Sequence, residues 1–397
     1  MAEYELGYLY STPVSYSANV NVNDKTDVFE FNIFDDRLIN LYLHNVSTNA
    51  EYADANITLF EDSNGNGVLD GGDTELDHNY IDGDKTLDYL VTPGKYFAEV
   101  RRFQPNYLGG PSTVSYDLDL SAIISEGTLT STPSSHSKFF SVAQPVETFR
   151  FWIDHNGPQI INLNLHNLSS SDAATLELYR DEGGDTGSLF SAFDDEDTLV
   201  ASANASGSHD GLISYRGEPG YYFARVNGNI ESYDWGNYEL DLAAVHHPAS
   251  KLLAGEAVVG DITNFTPNGQ GNITDANTTD SYLFSLGDDE GVHLELKGMT
   301  GNANMRLIKD ANNNRIVDPF EVMAYSIFGG TNNEYINNIE GPGDYFVEIY
   351  QDQAGISTPY VLDFERYSTG AVTDIKTLDN SPLRDTGTMG AFDPGLR

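Results

Sequence analysis

Residues 93–100 read PGKYFAEV, and two later segments repeat that pattern: PGYYFARV at 219–226 and PGDYFVEI at 342–349. The copies follow one another at about 120 residues, which is the length of a whole domain and not of a solenoid unit. Proline presets its own φ and glycine supplies an unusual backbone angle, so each copy predicts a turn that starts a strand. The chain is therefore expected to contain three domains, each with its own core.

Two more segments recur in the same order around each copy. The earlier one reads FEFNI at 29–33, FRFWI at 149–153 and YLFSL at 282–286. The later one reads YDLDL at 116–120, YELDL at 238–242 and YVLDF at 360–364. Apolar residues at every second position are typical of strands with one buried face.

The chain reads as β-structure throughout. Ile161, Leu163 and Leu165 alternate with asparagines, and short runs of this kind are separated by Gly, Asn, Asp and Ser clusters. The predicted fold class is all-β, with three tandem antiparallel β-sandwiches and an irregular C-terminal tail. The predicted limits are 1–124, 125–250, 251–367 and, for the tail, 368–397. Boundaries are expected near 121–128 and 245–256, where residues 245–250 have linker-like composition.

Charge excludes some partners. The chain has 20 Lys and Arg against 61 Asp and Glu, a formal net charge of -41. Such a field repels nucleic acid and anionic membrane surfaces and attracts cations. The alternative explanation is solubility in a salty or extracellular medium. We therefore expect no nucleic-acid partner.

Other features bear on location. There is no cysteine, so disulfides and thiolate metal sites are excluded. No run of 18 apolar residues is present, so no membrane insertion is expected. The first residues lack a basic segment and an apolar core, which leaves three explanations: a fragment, export without an N-terminal signal, or an intracellular protein. An extracellular or cell-surface location is the expectation carried forward.

Two acidic loops carry the candidate chemistry. Residues 62–73 read DSNGNGVLDGGD and residues 310–321 read DANNNRIVDPFE. Both fit a twelve-residue calcium loop with oxygen ligands at positions 1, 3, 5, 7, 9 and 12, the seventh through its backbone carbonyl. The candidate ligands are Asp62, Asn64, Asn66, Val68, Asp70 and Asp73 in the first loop and Asp310, Asn312, Asn314, Ile316, Asp318 and Glu321 in the third repeat.

The two loops differ at position 6, where a sharp turn is required. Gly67 suits that position, whereas Arg315 does not. An apolar residue at position 8, Leu69 or Val317, is expected to anchor each loop to its core. The alternative is a polar hairpin that holds no ion. The second repeat breaks the series between Asp181 and Asp197, which leaves a bound cation and a solvated acidic loop both open.

Few residues suggest catalysis. His44 and His166 occupy matching strand positions, which favours a structural role. The sequence contains no zinc-protease, nucleophile-elbow or phosphate-loop motif, and no carboxylate pair stands out. We expect a protein that is not an enzyme. Trp152 and Trp235 are candidate platforms for a sugar, although Trp152 lies in a core strand and is expected to be buried.

Each unit resembles the bacterial pre-peptidase C-terminal (PPC) domain family, so the chain reads as three tandem copies. The resemblance lies in an opening strand, best seen as DSYLFSL at 280–286, in the Pro-Gly-x-Tyr-Phe strand and in the closing Tyr-x-Leu-x-Leu strand. The opening Asp has a counterpart one position early in Asp27, and Thr148 replaces it in the second unit. The resemblance implies jelly-roll-like sandwiches on secreted bacterial proteins, which usually accompany a catalytic or adhesive partner.

The sequence as a whole favours a non-enzymatic, calcium-stabilised extracellular array with a structural or adhesive role. Its expected partners are calcium ions and either further copies of itself or another surface protein. The alternative is a carbohydrate-binding or accessory module of a secreted hydrolase, with a glycan as partner. In the tail, residues 371–378 alternate enough for one strand that could add to a neighbour's edge, or the tail is a disordered linker.

Overall fold

The computed structural model describes residues 3–48, 53–103, 113–182, 193, 197–229, 235–262 and 267–369. In these ranges the chain forms 26 β-strands and no helix. No helix there is long and apolar enough to cross a membrane. The predicted all-β class is confirmed. Most of the predicted tail, residues 370–397, lies outside the described residues.

The first repeat forms a sandwich of two sheets. Its strands are β1 (Tyr4–Tyr8), β2 (Val14–Asn21), β3 (Thr26–Ile33), β4 (Arg37–Thr48), β5 (Asp54–Glu61), β6 (Thr74–Asn79), β7 (Lys85–Val91), β8 (Gly94–Phe103) and β9 (Thr113–Thr128). One sheet has the order β1-β3-β8-β5-β6, and the other contains β2, β9, β4 and β7. Apolar side chains of both sheets, including Phe31, Leu41 and Leu118, meet in one core. The alternation seen in the sequence thus gives each strand one buried face.

The second repeat has the same plan. Its further strands are β10 (Ser134–Ser141), β11 (Val146–Ile153), β12 (Gln159–His166), β13 (Ala173–Arg180), β14 (Thr198–Ser206), β15 (Gly211–Gly217), β16 (Gly220–Gly228) and β17 (Trp235–Val245). One sheet is β10-β17-β12-β15, and the other places β14-β13-β16-β11 beside β9. Phe151, Leu163 and Leu240 lie in its core.

The third repeat again forms two sheets. Its strands are β18 (Ala257–Asp261), β19 (Asn268–Ile273), β20 (Thr279–Leu286), β21 (Glu290–Lys297), β22 (Ala303–Ile308), β23 (Val322–Ser326), β24 (Glu334–Glu340), β25 (Gly343–Gln351) and β26 (Thr358–Ser368). The orders are β18-β20-β25-β22-β23 and β19-β26-β21-β24. Phe284, Leu294 and Leu362 lie in its core.

One long strand serves two sandwiches. The first part of β9 pairs with β2 and β4, whereas Ile124 to Thr128 pair in parallel with β11. Parallel pairing of the same kind joins β1 to β3 and β18 to β20. The last strand of the first sandwich therefore continues as the first strand of the second, and the predicted limit at residue 124 falls inside it.

The second junction is closely packed. Leu252, Leu253 and Ala254 have no exposed surface. The Asn164 amide donates to the Leu253 carbonyl at 3.1 Å, and the Leu253 amide donates to the Arg315 carbonyl at 2.8 Å. The stretch after the linker-like residues is thus held by both neighbouring repeats, and the array has little freedom to bend there.

Strand register corrects the expected alignment of the opening strands. Phe29, Phe149 and Tyr282 each pair with the residue two positions beyond the Tyr of the Pro-Gly strand. Counting two residues back places Asp27, Glu147 and Asp280 at one position. Asp27 is therefore in register and not one position early. Glu147, not Thr148, takes the place of the Asp in the second repeat.

Candidate cation-binding loops

Both acidic loops join neighbouring antiparallel strands at the same place in their sandwiches. The first lies between β5 and β6 and the other between β22 and β23. In each sandwich the second of these strands is the edge of the sheet. The loops therefore lie at one end of the sheet, where their polar side chains reach solvent.

In the first loop the side chain at position 1 caps the turn. Asp62 accepts hydrogen bonds from the amides of Asn66 at 3.1 Å and Gly67 at 2.9 Å. Asn64 accepts from the Asn66 amide at 2.9 Å, and Asn66 accepts from the Val68 amide at 2.7 Å. The side-chain oxygens at positions 1, 3 and 5 therefore all point to the inside of the curled loop.

The loop in the third repeat makes the same bonds position by position. Asp310 accepts from the amides of Asn314 at 3.3 Å and Arg315 at 3.2 Å. Asn312 accepts from the Asn314 amide at 3.1 Å, and Asn314 accepts from the Ile316 amide at 2.9 Å. Two diverged sequences thus fold into one loop geometry.

Position 12 closes each loop onto position 9. Asp73 accepts from the Asp70 amide at 2.8 Å, and Glu321 accepts from the Asp318 amide at 3.1 Å. The second Glu321 oxygen accepts from the Ala311 amide at 2.9 Å. Glu321 is 2% exposed, so its carboxylate is a fixed part of the loop.

The backbone takes the left-handed conformation at positions 4 and 6 of both loops. The φ angles are 68° at Gly65, 71° at Gly67, 56° at Asn313 and 59° at Arg315. Glycine and asparagine adopt this region readily, whereas arginine does so at a cost of about 1 kcal/mol or more. Arg315 therefore adopts the strained left-handed conformation at position 6, and the loop keeps the same backbone shape.

The Arg315 side chain contacts an acidic and an aromatic residue. Its guanidinium lies 3.3 Å from Asp210 of the second repeat and 5.4 Å from the centre of the Phe346 ring. Val317, at position 8, is 5% exposed and packs in a cluster with Leu253. This loop is therefore tied to the junction between repeats, whereas Leu69 of the first loop is only half-buried.

The oxygen atoms of the first loop are suited to binding a cation. Asp73 Oδ1 is shielded from solvent and has no hydrogen-bond donor among the described residues. A buried carboxylate oxygen without a donor is costly unless a positive group reaches it. Asp70, which accepts from the Gly72 amide and from two asparagine amides, has its pKa lowered mainly by that backbone bond. Its carboxylate is thus kept ionised.

The second repeat offers less to compare. The Asp181 amide donates to the Tyr221 carbonyl at 3.1 Å, as the Asp62 amide does to Lys95 at 3.0 Å. Residues 183–192 and 194–196, which hold most of its acidic loop, lie outside the described residues.

A cluster that sequence reasoning missed lies at the opening strands. Carboxylate oxygens of Glu3, Asp24 and Asp27 lie within 4.8 Å of one another. The Tyr116 hydroxyl donates to Asp27. Burial, followed by the hydrogen bond to Asp27, raises the pKa of Glu3 to about 7. The recurrent Asp was visible in the sequence, but its Glu partner became apparent only from the pairing of β1 with β3.

The third repeat contains a similar arrangement with two carboxyl groups. The Tyr360 hydroxyl donates to Asp280 at 2.5 Å, and Asn277 donates to the same carboxylate at 2.6 Å. Burial, followed by the charge of Asp280, raises the pKa of Glu256 to about 8. Two carboxyl groups held together in this way favour keeping one proton between them.

The second repeat has different residues at these positions. Register places Ile123 where the other repeats have Glu3 and Glu256. Glu147, which stands where they have Asp, pairs with Arg37 of the first repeat, and the Arg37 side chain is fully buried. A charge pair between repeats thus replaces a carboxyl pair within one.

The remaining candidate residues have structural partners. His44 contacts Asp119 at 3.1 Å, and His166 contacts Asp241 at 2.9 Å, each across neighbouring strands. Trp152 is half-buried on the face opposite the core, where its ring lies 4.5 Å from that of Tyr221. The expectation that Trp152 is buried was wrong, because its strand alternates and its neighbours Phe151 and Ile153 take the core side. The Trp235 side chain lies outside the described residues.

No family model matches the chain, and no curated relative matches it. Among solved structures the chain is similar to the pre-peptidase C-terminal domain of a Bacillus anthracis collagenase, at 17% identity over 30% of this chain and 92% of that one, with a TM-score of 0.21. It is similar to the CUB1-EGF-CUB2 domains of human MASP-1/3, at 10% identity over 59% of this chain and 99% of that one, with a TM-score of 0.20. It is also similar to an archaeal virus protein described by a triple jelly roll fold and turret assembly, at 10% identity over 91% and 89% of the two chains, with a TM-score of 0.17. TM-scores this low do not support a conclusion about this chain. The sandwich architecture is inferred from its own sheet order and strand register.

Proposed function

We propose that this protein is a non-enzymatic array of PPC-like sandwiches, stabilised by calcium, with a structural or adhesive role outside a bacterial cell. The observation that supports the proposal is the shared geometry of the loops at 62–73 and 310–321. Corresponding positions make the same hydrogen bonds and take the same backbone conformation, although the sequences differ at half of the positions or more.

Calcium is the cation that this donor set favours. It takes six to eight oxygen ligands from carboxylates, amide side chains and backbone carbonyls, whereas magnesium prefers a rigid site with several waters. Both loops offer Asp, Asn and Asn at positions 1, 3 and 5 and a carboxylate at position 12. A bound ion would fix the end of the sheet at β6 and at β23.

The junctions support a structural role. The first two sandwiches share β9, and the buried pair of Arg37 and Glu147 joins them. The Arg216 guanidinium of the second repeat lies 3.2 Å from Asp275 of the third. A chain whose repeats are held in fixed relation can space or present its ends, which is what a structural or adhesive component requires.

Calorimetric titration of the full chain with calcium tests the proposal. We expect at least two sites, and calcium at a hundred times its Kd should stabilise the fold by about 2.7 kcal/mol per site. Asp73→Asn and Asp318→Asn should each remove one site. Asp82→Asn, on an exposed side chain outside both loops, is the matched control and should remove none. An unchanged melting temperature in calcium and in chelator would contradict the proposal.

A carbohydrate-binding role is the second candidate, favoured by the aromatic face of the second repeat. Trp152 packs edge-on against Tyr221, and both rings are partly exposed. The Arg150 guanidinium lies 3.9 Å from the centre of the Tyr221 ring. Aromatic faces of this kind can stack on sugars. Binding on a glycan array that Trp152→Ala abolishes would favour this function.

A further inference from the structure

The three repeats present the same edge strand to solvent, and these strands differ in character. β6, β14 and β23 each lie at the end of a sheet, and each has a one-residue irregularity at the same place. Counted from it, His78, Ser202 and Tyr325 occupy equivalent positions. The shared irregularity does not distinguish the edges, so any difference between them lies in their side chains.

The edge of the third repeat is apolar. Its exposed side chains are Phe320 at 73%, Met323 at 53%, Tyr325 at 59%, Ile327 at 66%, Phe328 at 57% and Tyr335 at 45%. They fall within a short stretch that includes β23 and the start of β24. In a chain with a net charge of -41, such a concentration of exposed apolar side chains indicates a docking surface.

The corresponding edge of the first repeat is charged. β6 carries Glu75, Asp77 and His78, and the His78 ring contacts Glu75 at 2.8 Å. Charged side chains are a usual means of keeping an edge strand from pairing with another chain. β23 carries no charged residue, and β14 carries none either. The β23 edge therefore differs from β6 in charge, and from β14 in its row of exposed large apolar side chains, since Leu199 is the one such side chain exposed on β14.

The main chain of β23 is available as well. In the described part of the chain, sheet order ends at β23, so no strand pairs with its outer side. A strand in this position accepts an extended segment, whose backbone supplies hydrogen bonds while alternate side chains contact the apolar row. The occupant is therefore expected to be extended and only weakly charged.

Residues 371–378 match that description. They read AVTDIKTL, with one acidic and one basic residue. Residues 370–397 together contain four acidic and three basic residues, so they hold only -1 of the chain's net charge. Two copies that met edge to edge would bring two strongly acidic bodies together, whereas this segment meets the edge with little repulsion.

Geometry favours the segment of a neighbouring copy. β23 lies against β24, because the Tyr335 amide donates to Ser326 at 2.9 Å. β21 separates β24 from β26, so two strand spacings and one sheet separation give about 14 Å from β26 to β23. Ser368 to Ala371 spans at most about 11 Å. Ala371 therefore cannot reach its own β23, so residues 371–378 can pair along their whole length only with the β23 of another copy.

We propose that residues 371–378 of one copy add as a strand to the β23 edge of the next copy. This inference rests on the proposed structural role and states how the array would extend. Because the donated segment and the accepting edge are different surfaces, the contact is head-to-tail and builds open chains. The third repeat's calcium loop leads directly into β23, so an ion bound there would order the start of the accepting edge.

Cross-linking of full-length chains tests the proposal. The protein has no cysteine, so Tyr325→Cys and Thr373→Cys can be introduced singly and the two variants mixed with a short bismaleimide. We expect a dimer between the two variants at a yield several-fold above that of Ser202→Cys, on β14, mixed with Thr373→Cys. Equal yields, a dominant product between two Tyr325→Cys chains, or an intramolecular product in the double variant would each overturn the proposal.

A charge variant gives a second test. Met323→Lys with Tyr325→Lys should weaken self-association at least about tenfold in sedimentation, because charged side chains keep an edge strand from pairing with another chain. Ser202→Lys should leave it unchanged. Calcium-induced stabilisation is measured on the same chains: stabilisation without cross-linking refutes the edge contact alone, and cross-linking without stabilisation refutes calcium binding alone.

Discussion

Glu147→Ala should uncouple the first two sandwiches. Glu147 and Arg37 have side-chain exposures of 2% and 0%, and two bonds of 2.5 and 2.9 Å join them. Glu147 also accepts hydrogen bonds from Ser11 at 2.5 Å and from Gln144. Removing the carboxylate therefore leaves a buried guanidinium and two buried polar side chains short of a partner.

The cost follows from what Arg37 retains. Removing one partner of a buried ion pair costs about 3–5 kcal/mol, because the remaining charge stays buried. Arg37 keeps Asp35 at 2.5 Å, on a side chain that is 27% exposed, and the Ala122 carbonyl at 3.2 Å. We therefore expect a loss near the lower end, about 3 kcal/mol.

The assay can observe the second repeat selectively. The chain has two tryptophans, Trp152 and Trp235, and both lie in that repeat. Their fluorescence during urea unfolding should report a lower midpoint for Glu147→Ala. Glu239→Ala is the matched control, since Glu239 is 41% exposed and its loss should cost less than about 1 kcal/mol.

A double replacement separates the ion pair from packing. Arg37→Met with Glu147→Leu removes both charges and should recover most of the lost stability, because well-packed apolar residues often replace a buried pair without cost. If Glu147→Ala moves the tryptophan midpoint no more than Glu239→Ala does, the pair does not couple the repeats and the reasoning is refuted.

Three further predictions concern single sites. The pKa of Glu256 in the folded protein is raised from 4.5 to about 8. Its contribution to stability is therefore present below pH 4.5 and is lost as the pH rises to about 8. The melting temperature should decline over that range, and Glu256→Gln should flatten the decline. Tyr360→Phe should lower the free energy of unfolding by about 1–3 kcal/mol, because its carboxylate partner stays buried. Tyr238→Phe is the control and should cost nothing, since that hydroxyl is buried without a partner among the described residues. Urea unfolding compares the two variants. Gly67→Ala should destabilise the first repeat by about 1 kcal/mol because its φ is 71°, and Gly71→Ala, which has open space and no positive φ, should be neutral in the same measurement.

Local patterns predicted the elements of the fold well. The strands β8, β16 and β25 begin at Gly94, Gly220 and Gly343, as the Pro-Gly turns indicated. The FEFNI segment and its two copies lie within β3, β11 and β20. Turn chemistry and alternation act over a few neighbouring residues, so they can be read from the chain without knowledge of its partners.

Predictions that depended on pairing between distant segments did less well. Thr148 was aligned with Asp280, but cross-strand register gives that place to Glu147. Trp152 was assigned to the core, but the pleat turns it outward. Both errors come from the period of two along a strand, since a shift by one residue moves a side chain to the opposite face.

The sequence by itself determined the three repeats, the strand content and the composition of the two acidic loops, because these follow from residue order over short distances. Only the tertiary structure decided that β9 serves two sandwiches, that Glu3 lies beside Asp27 and that Arg37 neutralises Glu147. It also decided that Met323, Tyr325, Ile327 and Phe328 line an exposed edge and not a core. These features arise where strands far apart in the chain meet, and burial and charge there depend on which partner arrives.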